Sequence, residues 1–285
     1  MSLAPALLAT LLAPMLAQVG PFQTPARSAP SRPPAAAPRT VAPPVPAAPR
    51  SRLQFCLDDA ASAPVDAIDD AEGWRDAVTG PARAEPNLCL GSAHARLEHW
   101  PEAEQAFLAG RDAALEGDRQ PRAKLGAMAG NAALAQGAFE QALSTLDRAR
   151  SDAVGADDLR LTGEIAIDRA RALVALKREP EAEKALVEAR TSAADNGLAW
   201  LLSATLSRRQ GKLAPAQAQI ATAAQLAPRD PEIGLEAGVI AMLAGNEVAA
   251  RRSWQSAIDT APSSEAATTA RSYLAQLGPS PQSKP

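Results

Sequence analysis

From residue 196 to residue 262, two stretches offset by 34 residues carry the same order of small, large and polar positions. Trp200, Ala204, Gly211, Ala216, Ile220, Ala223 and Pro228 in the first match Gly234, Gly238, Gly245, Ala250, Trp254, Ala257 and Pro262 in the second. In each, an apolar run leads to a glycine, a second apolar run begins within a few residues, and a proline closes it. Glycine tolerates the left-handed conformation that ends a helix, and a proline inside a helix loses a hydrogen bond and clashes with the preceding turn. Each stretch therefore predicts a helical hairpin. Ala204 or Gly238 in the first helix, and Ala216, Ala223, Ala250 and Ala257 in the second, let backbones approach. Trp200, Ile220 and Trp254 fill the remaining space.

The same order extends towards the N-terminus. Residues 85–115 place Leu90 and Gly91 in a first helix, Trp100 at the turn, and Ala103, Phe107 and Gly110 in a second. Residues 122–150 follow with Gly130, Gly137, Phe139, Ala142, Leu146 and Ala149. Residues 159–190 follow with Ala170, Leu173, Ala182, Leu186 and Ala189, and with Arg169 where an apolar residue is expected. Ala142 lies 39 residues after Ala103 and Ala182 lies 40 after Ala142, so the surplus over 34 is expected in loops at 116–121 and 151–158. Ahead of these copies, Pro64 with Asp66, Asp69 and Asp70 predicts a helix start, running to about Val78 with Trp74 as its anchor. After them, residues 263–277 predict a last amphipathic helix capped by Ser263 or Ser264, with Ala267, Ala270, Tyr273, Leu274 and Leu277 inward.

A Trp, a small-residue pair in the first helix, an Ala-x3-large-x2-Ala run in the second and a closing Pro make the chain resemble the tetratricopeptide repeat, whose period is about 34 residues. The resemblance implies an all-α fold, a right-handed α-α superhelical solenoid of stacked hairpins over residues 53–277, with repeats near 85–115, 122–150, 159–190, 197–228 and 231–262. It also implies a concave groove lined by the first helices and holding a peptide or a partner helix. Carried onto this chain, the groove positions include Lys124, Asn131, Arg171, Leu201, Arg208, Leu235 and Met242, with Leu88, Ala127, Ile167, Val174 and Thr205 among the others. Lys124, Asn131, Arg171 and Arg208 at intervals along an apolar strip suit a segment carrying an acidic group. The same apolar residues suit packing between repeats equally well. Glu164 and Asp168 fall where a carboxylate clamp would need basic residues.

Residues 1–17 hold an uncharged apolar run of the kind that forms a signal peptide, or, if kept, an inner-membrane anchor through residue 19. Pro5 and Pro14 interrupt the run, which is short for a hydrocarbon layer of about 30 Å. Residues 18–52 are a Pro- and Ala-rich linker unable to bury a core, and 278–285 are a short polar tail. The expected location is periplasmic or otherwise exported. Cys56 and Cys89 are the only cysteines. In an exported chain they are expected to form a disulfide, with two buried thiols as the alternative.

Net charge is −3 over 285 residues, which argues against bulk nucleic-acid binding. It is unevenly spread. Residues 53–118 carry 14 Asp and Glu against 4 Arg, while residues 1–52 carry only Arg among charged side chains. No nucleophile elbow, phosphate loop, nucleotide fingerprint or metal-binding His pair is present, so no enzyme activity, cofactor or metal is expected. The function expected is a non-enzymatic protein–protein scaffold. The alternatives are a self-associating envelope protein that buries Trp254 and Tyr273 between copies, or a carbohydrate-binding module stacking sugars on Trp74 and Trp100.

Overall fold

The computed structural model describes residues 50–278; the expected signal or anchor and nearly all of the linker and tail lie outside them. Two helices, α1 (Arg52–Ser62) and α2 (Pro64–Asp76), and a 3-10 turn at Gly80–Arg83 precede five hairpins. These pair α3 (Ala84–Arg96) with α4 (Trp100–Ala113), α5 (Arg119–Ala135) with α6 (Phe139–Gly155), and α7 (Leu159–Ala175) with α8 (Glu179–Ser192). The last two pair α9 (Gly197–Arg209) with α10 (Leu213–Leu226) and α11 (Pro231–Leu243) with α12 (Glu247–Thr260), and α13 (Glu265–Leu277) packs on the end. No strand occurs among the described residues. The fold is an all-α solenoid in which each hairpin packs chiefly on its neighbours.

All five hairpins turn in the same way. One residue takes a left-handed conformation, and the next donates its N–H to the carbonyl five positions earlier, the arrangement that satisfies the last carbonyls of a helix. The left-handed residues are Glu98 (φ 59°), Gly137 (77°), Lys177 (60°), Gly211 (72°) and Gly245 (78°). The back-bonds run from His99 to His94, Ala138 to Ala133, Arg178 to Leu173, Lys212 to Ser207 and Asn246 to Ala241, at 2.8–3.0 Å.

Inside each hairpin a small residue of the first helix faces a large residue 16 positions later. The pairs are Gly91 with Phe107, Gly130 with Leu146, Ala170 with Leu186, Ala204 with Ile220 and Gly238 with Trp254. A Cβ on Gly91 or Gly130 would lie 2.5 Å from the opposing side chain, and one on Gly238 would overlap the Trp254 indole. Glycine therefore stands opposite Phe, Trp and one Leu, while alanine suffices opposite Ile and the other Leu. The third copy keeps this register despite Arg169, which leaves the core and pairs with Asp147 at 2.6 Å and Glu188 at 3.6 Å.

The surplus residues of the second and third copies lie mainly in helices, a correction to the loops expected at 116–121 and 151–158. The helices α5, α6 and α7 each have 17 residues against 13 or 14 in the last two hairpins. The extra turns remain amphipathic: Ala153 is fully buried with Leu161 and Ile165. On their polar side Arg111 pairs with Asp152 at 2.9 Å, Arg122 approaches it at 3.8 Å, and Arg122 also donates to the carbonyls of Arg111 and Ala114 at the end of α4.

At the N-terminal end, Cys56 and Cys89 form a disulfide that joins α1 to α3. Around it pack Ala60, Ala67, Ala71, Trp74, Leu90 and Ala93. Arg52 lies over the Trp74 ring. At the other end Trp254 is buried beneath Tyr273 of α13, with ring centroids 5.1 Å apart, and donates to the Leu235 carbonyl.

Candidate protein-binding face

The backbones of α5, α7, α9 and α11 approach one another in succession, as do those of α1 and α3 and of α11 and α13, whereas second helices meet through long side chains such as Arg111 with Asp152 and Arg150 with Glu188. The stack therefore bends with the first helices on its inner side. Two open clefts lie there, both mostly apolar. One, about 410 Å³, separates α3 from α5, and Leu53, Leu88, Lys124, Leu125 and Met128 line it with Glu85 and Asp118 at its edge. The other, about 270 Å³, separates α7 from α9; its walls include Ala170, Val174, Ala175, Leu186, Leu202 and Leu206, and Arg171 and Arg209 stand at its mouth.

The groove positions read from sequence divide into three groups. Lys124, Asn131, Arg171 and Met242 are exposed, and Leu235 is half-buried. Leu201, Ala127 and Ile167 are buried in the packing between helices, the second of the two roles open to these apolar positions. Arg208 is held at 2.6 Å by Glu236 of α11, so it acts first as a strut between hairpins. Met242 is set apart from both clefts, in a shallow depression of about 260 Å³ with Val239, Leu243, Tyr273 and Leu277.

Arg171 pairs with Asp168, one turn earlier on α7, at 2.9 Å. Burial pushes the Asp168 carboxyl above the usual carboxylate range, and the Arg171 charge and hydrogen bonds from Asn131 and Arg171 pull the other way without overcoming it. Sequence reasoning missed this acidic partner, as it missed Glu236 and Ala175. The i,i+3 spacing of Asp168 and Arg171 is a legible signal for the first. Only the approach of α9 to α11, and of α7 to α9, produces the other two.

A third cleft, about 640 Å³, opens on the opposite side between α2 and α4, over Asn87, Leu90 and His94 of α3. The His94 Nδ1 is buried without a hydrogen-bond partner, and burial lowers the pKa of the ring despite nearby Glu102 and Glu72. Trp74 is buried in the disulfide cluster, and Trp254 with Tyr273 packs inside this chain. Burial removes Trp74 from the sugar-stacking role considered for it, whereas Trp100 and Tyr273 are only half-buried.

No protein-family model and no curated protein sequence matches the chain. Solved structures do. PilW, a widely conserved type IV pilus biogenesis factor, superposes with a TM-score of 0.62 at 15% identity, covering 76% of this chain and 95% of PilW. This chain is a tetratricopeptide-repeat-type solenoid. BtubC from P. vanneervenii matches with a TM-score of 0.58 at 14% identity over 83% of this chain and 96% of BtubC. Pseudomonas aeruginosa pilF matches at 0.56 and 13% identity over 79% of this chain and all of that one. At these identities the likeness is one of fold. No described helix is long and apolar enough to cross a membrane.

Proposed function

We propose that the chain is an exported, non-enzymatic scaffold that holds a protein partner, as an extended peptide or a helix, on the inner face formed by its first helices. The observation that carries this reading is the pair of open apolar clefts on that face, between α3 and α5 and between α7 and α9. Concave, largely apolar clefts with a few charged groups at the edge favour ligand burial with orientation, and a preformed surface saves part of the ordering cost of binding. The disulfide suits an oxidising compartment. Assembly or secretion at the cell envelope is in keeping with the likeness in fold to PilW, a type IV pilus biogenesis factor.

Photo-crosslinking in the native cells tests the reading. A benzoylphenylalanine at Lys124, Thr205 or Met242, on first helices, should yield discrete protein adducts. The same group at Lys184 or Gln225, exposed on second helices, should not. Equal adducts from both sets, or none from the first, would sink it.

A further inference from the structure

We propose that the cleft between α7 and α9 takes one bulky aliphatic or aromatic side chain from a protein segment that also carries an acidic residue within about one helical turn of it. This rests on the protein-binding reading above and names the partner chemistry of one part of that face. The apolar half of the argument is the lining. Small residues on α7, Ala170 and Ala175, leave the space, and Leu186, Leu202 and Leu206 close it. The hydroxyl of Thr205 already donates to the Leu201 carbonyl, so it is committed to its own helix. A polar side chain entering there would lose its hydration with little in return.

The acidic half comes from which member of each ion pair faces outward. By side-chain exposure, Arg171 stands at 47% against 12% for Asp168, Arg209 at 49% against 37% for Glu179, and Arg208 at 24% against 12% for Glu236. At several other pairs the order reverses, as with Arg169 at 20% against 52% for Asp147 and Arg111 at 12% against 72% for Asp112, though Arg150 and Arg160 also stand further out than Glu188 and Glu164. Formal charge around the cleft is balanced, yet an approaching segment meets guanidinium groups first. A guanidinium has five N–H donors in a fork. One bond to its own carboxylate leaves others for a carboxylate of the partner. Charges beyond about 8 Å are screened at physiological salt, so the acidic residue must lie close to the apolar anchor.

A random 12-residue peptide library, selected on the full 285-residue chain, provides the test. Enriched peptides should share a Leu, Ile, Phe, Tyr or Trp with an Asp or Glu within four positions. Two variants then read the site. Ala175→Leu fills the cleft from an exposed position and should weaken peptide binding about tenfold or more. Arg209→Glu should weaken it similarly, and changing the peptide acid to Lys should restore binding to that variant alone, a rescue that misfolding cannot mimic. Enriched peptides without an acid, binding indifferent to Ala175→Leu, or no enrichment at all would each overturn the proposal. Inner-face crosslinks to a protein in cells, seen alongside any of those results, would leave the broader scaffold reading standing.

Discussion

The residue scale shows why the repeat tolerates so few side-chain sizes. The first and second helices of a hairpin approach closely because each small residue is matched to a particular large one. Gly91 faces Phe107, and a methyl group there would press into the ring. Gly91→Ala should cost about 1–3 kcal/mol in chemical denaturation, and adding Phe107→Leu should return part of it by making room. The hairpin turns offer an opposite test. Lys177 holds φ 60°, where a Cβ is strained, while Gly211 serves the same turn with open space around it. Lys177→Gly should stabilise by about 0.5–1 kcal/mol, and Gly211→Ala should destabilise by about 1 kcal/mol. Asp168 carries a pH dependence. Its folded pKa is raised, so its favourable contribution is complete below the unfolded carboxylate value and is lost as pH rises through the folded one. The melting temperature of Asp168→Asn should therefore exceed that of the native chain at pH 7, and the gap should shrink towards about pH 3.

Among the elements, α1 depends most on a single covalent link. Its buried residues are Cys56 and Ala60, and it is otherwise fixed by a capping box between Ser51 and Gln54 and by the Arg52 contact with Trp74. The loop closed by the disulfide spans 33 residues, which corresponds to about 3–4 kcal/mol of stabilisation. Reduction should release amide protection in α1 first, then in α2 and α3, and leave α7 to α12 unchanged. Hydrogen exchange with and without reductant reads this directly, and uniform protection in both would refute it. The extra turns of α5, α6 and α7 show where element lengths escaped the sequence reading. In α6 and α7 the apolar spacing continues through Ala153 and Leu161, so nothing local marks an end until Gly155 yields to the Arg119 side chain and Asp158 caps α7.

Across the whole molecule, stability is transmitted hairpin to hairpin, because contacts run almost entirely between neighbours. Ala250 is fully buried beside Trp254 and Ala270. Ala250→Leu should overpack that end by about 1–3 kcal/mol and loosen α11 to α13, with α3 to α8 retaining their exchange protection. A single concerted loss across all hairpins would contradict a nearest-neighbour stack. The sequence by itself determined the class of fold, the 34-residue hairpins and the turn glycines at 137, 211 and 245. These follow from local rules: helical spacing, left-handed glycine and proline as a stop. Tertiary structure alone decided which apolar residues reach the surface, burying Leu201 and Ile167 while opening clefts beside Ala175 and Leu88. It also decided that Arg208 would have an acidic partner, Glu236 of α11. Those outcomes depend on how far each first helix stands from the next, a distance set by side chains on three or more helices and by no single stretch of chain.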